Sequence, residues 1–157
     1  MDFTYQVLRL TSAFYNAYPK TQYPELLTKN GRAYTCLLLD LHYDYFIAVP
    51  FRTEIRHKYA YKFTCSARSR LHQSDLDYSK IAIIQNPEYI SEHSAVVDSD
   101  EYHEAKAHIK RIVLESNQYI AGYIKSVEKN DWRKLKRVYT FSTLPYFYKE
   151  LNIHITT

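Results

Sequence analysis

Tyr34–Val49 reads YTCLLLDLHYDYFIAV. Two apolar runs, Tyr34–Leu41 and Tyr45–Val49, flank the short connection His42–Tyr43–Asp44, and that pattern predicts a β-hairpin. Upstream, Phe3–Leu10 alternates loosely as a first strand, and Thr11–Tyr18 has helical spacing that stops at Pro19. Downstream, Ile81–Ala82–Ile83–Ile84 lies within Asp77–Gln85 and forms a third buried-strand candidate, bounded by an Asn86–Pro87 turn. A mainly antiparallel sheet follows from these runs.

Further along, Asp98 or Ser99 can cap a helix, and Asp100 and Glu101 suit its positive end. Tyr102, Ala105, Ile109, Ile112, Val113, Tyr119, Ile120, Tyr123, Ile124 and Val127 then recur at spacings of three and four, one stripe of a long helix near 99–129 that lies across the sheet. The stretch KLKRVYTFSTLPYFYKEL (134–151) suggests a short segment and then a final helix capped at Ser142, with Pro145 in its first turn. The fold class expected is α+β: a compact, twisted, mainly antiparallel sheet packed with helices. At 157 residues the chain reads as a single domain over 1–157.

Composition removes several function classes. With only Gly31 and Gly122, neither GxGxxG nor GxxxxGK[ST] can be written, which argues against Rossmann and P-loop nucleotide chemistry. His42, His57, His72, His93, His103, His108 and His154 make no HxxxH or HxH pair, so a metal site is disfavoured and no cofactor is expected. His103 and His108, five apart, read as surface residues. There is no GxSxG elbow. Cys36 and Cys65 form no CxxC and follow no signal peptide, which fits a reduced cytoplasmic protein. The longest apolar run, around Leu37–Leu39, is interrupted by Asp40 and cannot span a membrane.

The chemistry concentrates in Tyr45–Phe63, YFIAVPFRTEIRHKYAYKF, where a strand read as ending at Pro50 breaks into basic, hydroxyl and aromatic residues. Metal-free RNA cleavage needs a group acting at the 2′-hydroxyl, cations for the charged phosphorane, and a donor for the leaving oxygen. Arg52 and Arg56 suit phosphate clamping because guanidinium groups stay charged and bind bidentately, and His57 supplies an imidazole that can take or give a proton. Thr53 can orient the phosphate or the hydroxyl. The ordinary alternatives are a solvated arginine, a capping threonine and a structural histidine.

Four stretches carry a family resemblance over nearly the whole chain. Asn30–Gly31–Arg32–Ala33–Tyr34 leading into CLLLDL is similar to a family strand preceded by Asn-Pro-Lys. YFIAVPFRT resembles an apolar strand followed by Pro, a bulky residue and a hydroxyl-bearing pair. Asp77–Tyr78–Ser79–Lys80 before IAII, and Phe141–Ser142–Thr143–Leu144 with its Phe-Ser-x-Leu, are weaker matches. The chain thus resembles the endoribonuclease toxins of type III toxin–antitoxin systems, closest to the TenpN group and similar to ToxN and AbiQ.

The resemblance implies RNA cleavage by 2′-hydroxyl attack to a 2′,3′-cyclic phosphate, and inhibition by a repeated RNA pseudoknot in a closed protein–RNA oligomer. By position, Arg32 takes the part of the family's pre-strand lysine and Thr53 that of its serine. ToxN-like members have Thr-Ser followed two residues later by Lys; here Arg52–Thr53 is followed by Ile55, so Arg52 or Arg56 replaces that charge. The family's early tyrosine corresponds to Tyr5 or Tyr15.

The catalytic set expected is therefore Thr53, Arg52, Arg32, Arg56 and His57. Lys58, Tyr59, Tyr61, Lys62, Arg68, Arg70 and Lys80 read as an RNA-binding surface, since stacking and backbone neutralisation tolerate loose placement; strand alternation makes Tyr61 alternatively a core residue. The partners expected are substrate RNA and the antitoxin RNA, with no membrane and no DNA. A noncatalytic RNA-binding module built on the same face is the alternative, followed by a protein-interaction domain.

Overall fold

The computed structural model of the chain describes residues 2–26 and 34–153. The hairpin forms from β2 (Thr35–Asp40) and β3 (Phe46–Arg52), with Leu37 opposite Val49 and Leu38 opposite Ala48. Cys36 through Leu39 and Ile47 through Phe51 are buried without alternation, because both faces of these central strands are covered. At the connection the Asp40 carboxylate accepts the His42 amide N–H at 3.0 Å and His42 takes φ 61°, the local bonding that favours Asp in tight turns.

β1 (Thr4–Leu10) pairs antiparallel with β2, and α1 (Ser12–Ala17) follows it, stopping before Pro19. β3 continues through Pro50, where the sequence reading ended it. Its Phe46–Ala48 pair with β6 (Ala82–Ile84), whereas Phe51 and Arg52 pair with β5 (Asp75–Asp77). Pro50 occupies the step between these two ladders, the kind of irregular position at which a missing N–H is tolerated. β4 (Ala60–Lys62) and β7 (Ile90–Ser94) lie at the edges of the order β4-β5-β3-β2-β1-β7, with β6 on β3. The described residues therefore form an α+β fold with a seven-stranded antiparallel sheet and five α-helices.

The stretch read as one long helix is two. α3 (Ser99–Ala107) is capped by Asp98, which accepts from the Asp100 and Glu101 amides, and α4 (Ile109–Glu128) starts after a break at His108. Buried positions continue across the break at helical spacing, from Glu101, Glu104 and Ala105 to Ile112 and Val113, so the inward face of α3 carries two carboxylates and Tyr102 lies exposed instead of in the core stripe. Buried Glu104 is satisfied by the Tyr61 hydroxyl at 2.8 Å and by the Thr64 and Cys65 amides. In α4 the expected stripe is buried at Ile112, Val113, Tyr119, Ile120 and Tyr123.

α2 (Ala67–His72) follows β4, and α5 (Trp132–Val138) follows α4 with Asp131 as its cap. Beyond α5 the expected final helix shrinks to a 3-10 turn at Leu144–Phe147. Ser142 does accept the Leu144 amide at 3.1 Å, but Thr143 is tied back to Ser79, and Leu144 and Phe147 are fixed in the core.

Candidate functional site

β5 reads Asp75-Leu76-Asp77, and strand alternation sends Leu76 into the core and both carboxylates to the opposite face. Arg52, at the end of β3, lies opposite Asp75 in the ladder and reaches diagonally to Asp77, with Nη1 2.6 Å from Oδ2. The chain then reverses at Glu54 (φ 61°) and returns His57 over the same carboxylate, Nε2 to Oδ1 3.2 Å. Ser79 donates to Oδ1 from its hydroxyl at 2.7 Å and from its amide at 3.0 Å.

Asp77 is thus wholly buried but saturated with donors. Burial by itself would raise its carboxyl, yet the hydrogen bonds from His57 and Ser79 and the charges of His57 and Arg52 outweigh it and hold the group below the usual carboxylate range. Neither Asp77 nor Ser79 stood among the expected site residues. Their signal was the weak Asp77–Lys80 match and the apolar residue set between two acids.

His57 also accepts the Tyr59 amide N–H at Nδ1, 3.1 Å away. In the neutral imidazole the Nε2 proton therefore goes to the Asp77–Ser79 pair, with Ser79 Oγ 3.3 Å away, and the Nδ1 lone pair goes to Tyr59, so neither nitrogen is free to take a proton from a bound hydroxyl. As placed, His57 orients Asp77 and through it Arg52.

Arg52 is mostly buried, with its guanidinium carbon 5.6 Å from the Tyr34 ring centroid. It shares a slot of about 30 Å³ with Tyr15, Tyr34 and Lys80. Of the two early tyrosines, Tyr15 lines this slot, whereas Tyr5 sits in β1 opposite Leu39. Burial, with smaller contributions from Cys36 and Tyr34, raises the Tyr15 hydroxyl far above neutrality, so it enters any reaction as a neutral donor. Thr53 follows Arg52, half-buried, and its side chain makes no hydrogen bond among the described residues.

The other expected residues divide into separate places. Arg56 and Lys62 line a cavity of about 400 Å³ with Phe63, Ser69, Gln73 and Asp75. Lys58 and Tyr59 line a groove of about 720 Å³ with Tyr78, Tyr119, Lys134 and Arg137. Tyr59 stacks against His57 at 5.9 Å between centroids, so the groove begins beside the Asp77 cluster. Lys134 and Arg137 on α5 were missed, although the KLKR run marks them.

Two expectations for the RNA-binding surface are corrected. Tyr61 is core, 4% exposed, because its side chain shares the inward face with Leu76 and its hydroxyl is spent on Glu104. Lys80 is not an open cation: it pairs with Glu25 and donates to the Phe141 carbonyl at 2.6 Å. Arg68 and Arg70 are exposed on α2, away from the Asp77 cluster, Arg68 4.0 Å from the Glu101 carboxylate and Arg70 donating to the Ser66 carbonyl at 3.3 Å. Arg32 lies outside the described residues.

Fold and site together define an antiparallel α+β domain in which β5, next to the edge strand β4, carries a saturated buried carboxylate beneath a basic, tyrosine-rich surface. No family model, curated protein or solved structure matches the chain. Among the described residues no helix is long and apolar enough to cross a membrane, and no three His, Cys, Asp or Glu side chains converge as metal ligands.

Proposed function

We propose that this protein is a metal-independent, sequence-selective endoribonuclease of the toxin type, acting in the cytoplasm and neutralised by a repeated RNA pseudoknot. The observation that carries the reading is the fixed Arg52 guanidinium, held by buried Asp77 and followed in the chain by Thr53, whose hydroxyl has no hydrogen-bond partner among the described residues. A preorganised cation suits an in-line attack of the 2′-oxygen on the adjacent phosphorus: the 2′-hydroxyl gives its proton to solvent, the new P–O bond closes the cyclic phosphate, the 5′-oxygen leaves with its electron pair and takes a proton from solvent, and the added negative charge falls on oxygens facing Arg52. Thr53 orients a phosphate oxygen or the attacking hydroxyl. Asp77, His57 and Ser79 act as positioning residues behind Arg52. The Lys58–Arg137 groove supplies phosphate neutralisation for flanking nucleotides.

The engagement of both His57 nitrogens favours a second reading, a noncatalytic RNA-binding module on the same surface. One experiment separates the two: purified protein is incubated with total cellular RNA in excess EDTA, beside Thr53→Ala. The enzyme reading expects fragments with cyclic-phosphate ends at a short motif and a rate lower by about 10²–10³ in the variant. Intact RNA that binds with a steep salt dependence establishes the module instead.

A further inference from the structure

The two carboxylates of β5 share a face but not a fate. Asp77 receives four hydrogen bonds, whereas Asp75, 2% exposed, has a buried Oδ2 with no partner. Lys62 stands opposite Asp75 in the ladder without closing an ion pair on it. Burial pushes the Asp75 carboxyl up to about 6, with Lys62 opposing and Asp77 adding to the rise, so the group is ionised at neutral pH at a cost to the fold. A buried, unpaired carboxylate in the wall of an open cavity is a group held ready for a donor from outside.

Resting on the RNA reading of the site, we propose that the cavity lined by Asp75, Arg56, Lys62 and Gln73 is a subsite for one guanine base of the bound strand. The cavity, about 400 Å³, has room for a purine ring. Guanine alone among the bases sets two adjacent N–H donors, N1 and N2, beside two adjacent acceptors, O6 and N7. A carboxylate matches the donor pair and a guanidinium or ammonium matches the acceptor pair. Adenine offers an acceptor at N1 and only a C–H at C2 where the carboxylate needs donors, and uracil offers one N–H flanked by two carbonyls, so each leaves Asp75 short of partners. Cytosine brings a single amino group and no N7. Asp75 stands opposite Arg52 in the ladder and two residues from Asp77, and so reads the base of a nucleotide close to the reacting phosphate.

The test uses 2′-O-methylated pentanucleotides, which lack the attacking hydroxyl and are bound without being cut: UUGUU, UUAUU, UUCUU and UUUUU, titrated into the full chain and into Asp75→Asn. UUGUU is expected to bind about tenfold or more tightly than the others, and the preference is expected to vanish in the variant. Equal affinity for all four, no binding by any, or a guanine preference that survives in Asp75→Asn overturns the subsite. Because no cleavage enters this measurement, it stands apart from the EDTA experiment: intact RNA there with guanine-selective binding here rejects the enzyme and keeps the subsite.

Discussion

Arg52 Nη1 lies 2.6 Å from Oδ2 of Asp77, so a side chain reaching the surface from one strand is held by a carboxylate with no exposure on the next. Removing one partner of such a pair leaves an uncompensated charge in the interior. Asp77→Asn is expected to lower stability by about 3 kcal/mol at pH 7.5, read from urea unfolding. The folded carboxyl is depressed below its ordinary 3.8, so its contribution is complete above that value and is lost as pH falls below it. The gap between wild type and variant should therefore hold from pH 7.5 to about 5 and narrow only as pH falls below 3.8; a gap that narrows already between pH 7.5 and about 5 refutes the assignment.

Asp75 predicts the opposite sign. Its folded carboxyl, at about 6, holds a proton more tightly than the unfolded one at 3.8, so stability falls as pH rises between these values and stays lower above. Asp75→Asn removes that loss and is expected to stabilise the protein by about 1–3 kcal/mol at pH 7.5, with little effect near pH 4. Thermal unfolding at both pH values measures it, and a destabilised variant at pH 7.5 rules the assignment out.

The hairpin was legible because its two strands are buried on both faces and therefore appear as unbroken apolar runs. β4 and β5 were not, since AYK and DLD are three residues long and owe their conformation to pairing with each other and with β3. The helix break at His108 has no Pro or Gly to announce it; it comes with α3 turning Glu101 and Glu104 inward, a tertiary demand that overrides the apolar stripe. At the site, Arg52, Thr53 and His57 stood out as a dense local run. Asp77 and Ser79 come from β5 and the 3-10 turn after it, and only the sheet register brings them to Arg52 and His57.

His57 separates positioning from proton transfer. Both ring nitrogens are engaged, so a neutral donor that still reaches Asp77 should preserve its role. His57→Gln is expected to keep cleavage within about tenfold of wild type and to leave the shape of the pH–rate profile unaltered, whereas removing a general base costs about 10²–10⁴. A loss of that size, together with disappearance of an ionisation from the profile, would make His57 the base.

Gly122 lies in the middle of α4, where alanine ordinarily stabilises a helix by about 1 kcal/mol. Here an added Cβ would stand 2.6 Å from the Tyr139 hydroxyl, which donates to the Tyr119 carbonyl at 2.9 Å. That oxygen is fixed on a rigid ring, so Gly122→Ala must displace Tyr139 from the groove wall, and overpacking of this kind costs about 1–3 kcal/mol. The variant is expected to be less stable than wild type despite its better helix former, and Tyr139→Phe, which removes the obstructing oxygen, should restore part of the loss to Gly122→Ala. A more stable Gly122→Ala chain would show that the ring yields.

Lys134 and Arg137 test the groove. Each phosphate contact to a single strand contributes roughly 0.7 to the slope of log affinity against log salt. With both residues on the groove wall beside Lys58, the double variant Lys134→Ala/Arg137→Ala is expected to bind unstructured RNA more weakly and with a slope shallower by about 1.4, uniformly across base sequences. The uniformity follows because these cations face the backbone and read no base edge, in contrast to Asp75. Fluorescence anisotropy across a salt series measures it; an unchanged slope would mean that the strand leaves the Arg52 site by another route and that the groove takes no part in binding.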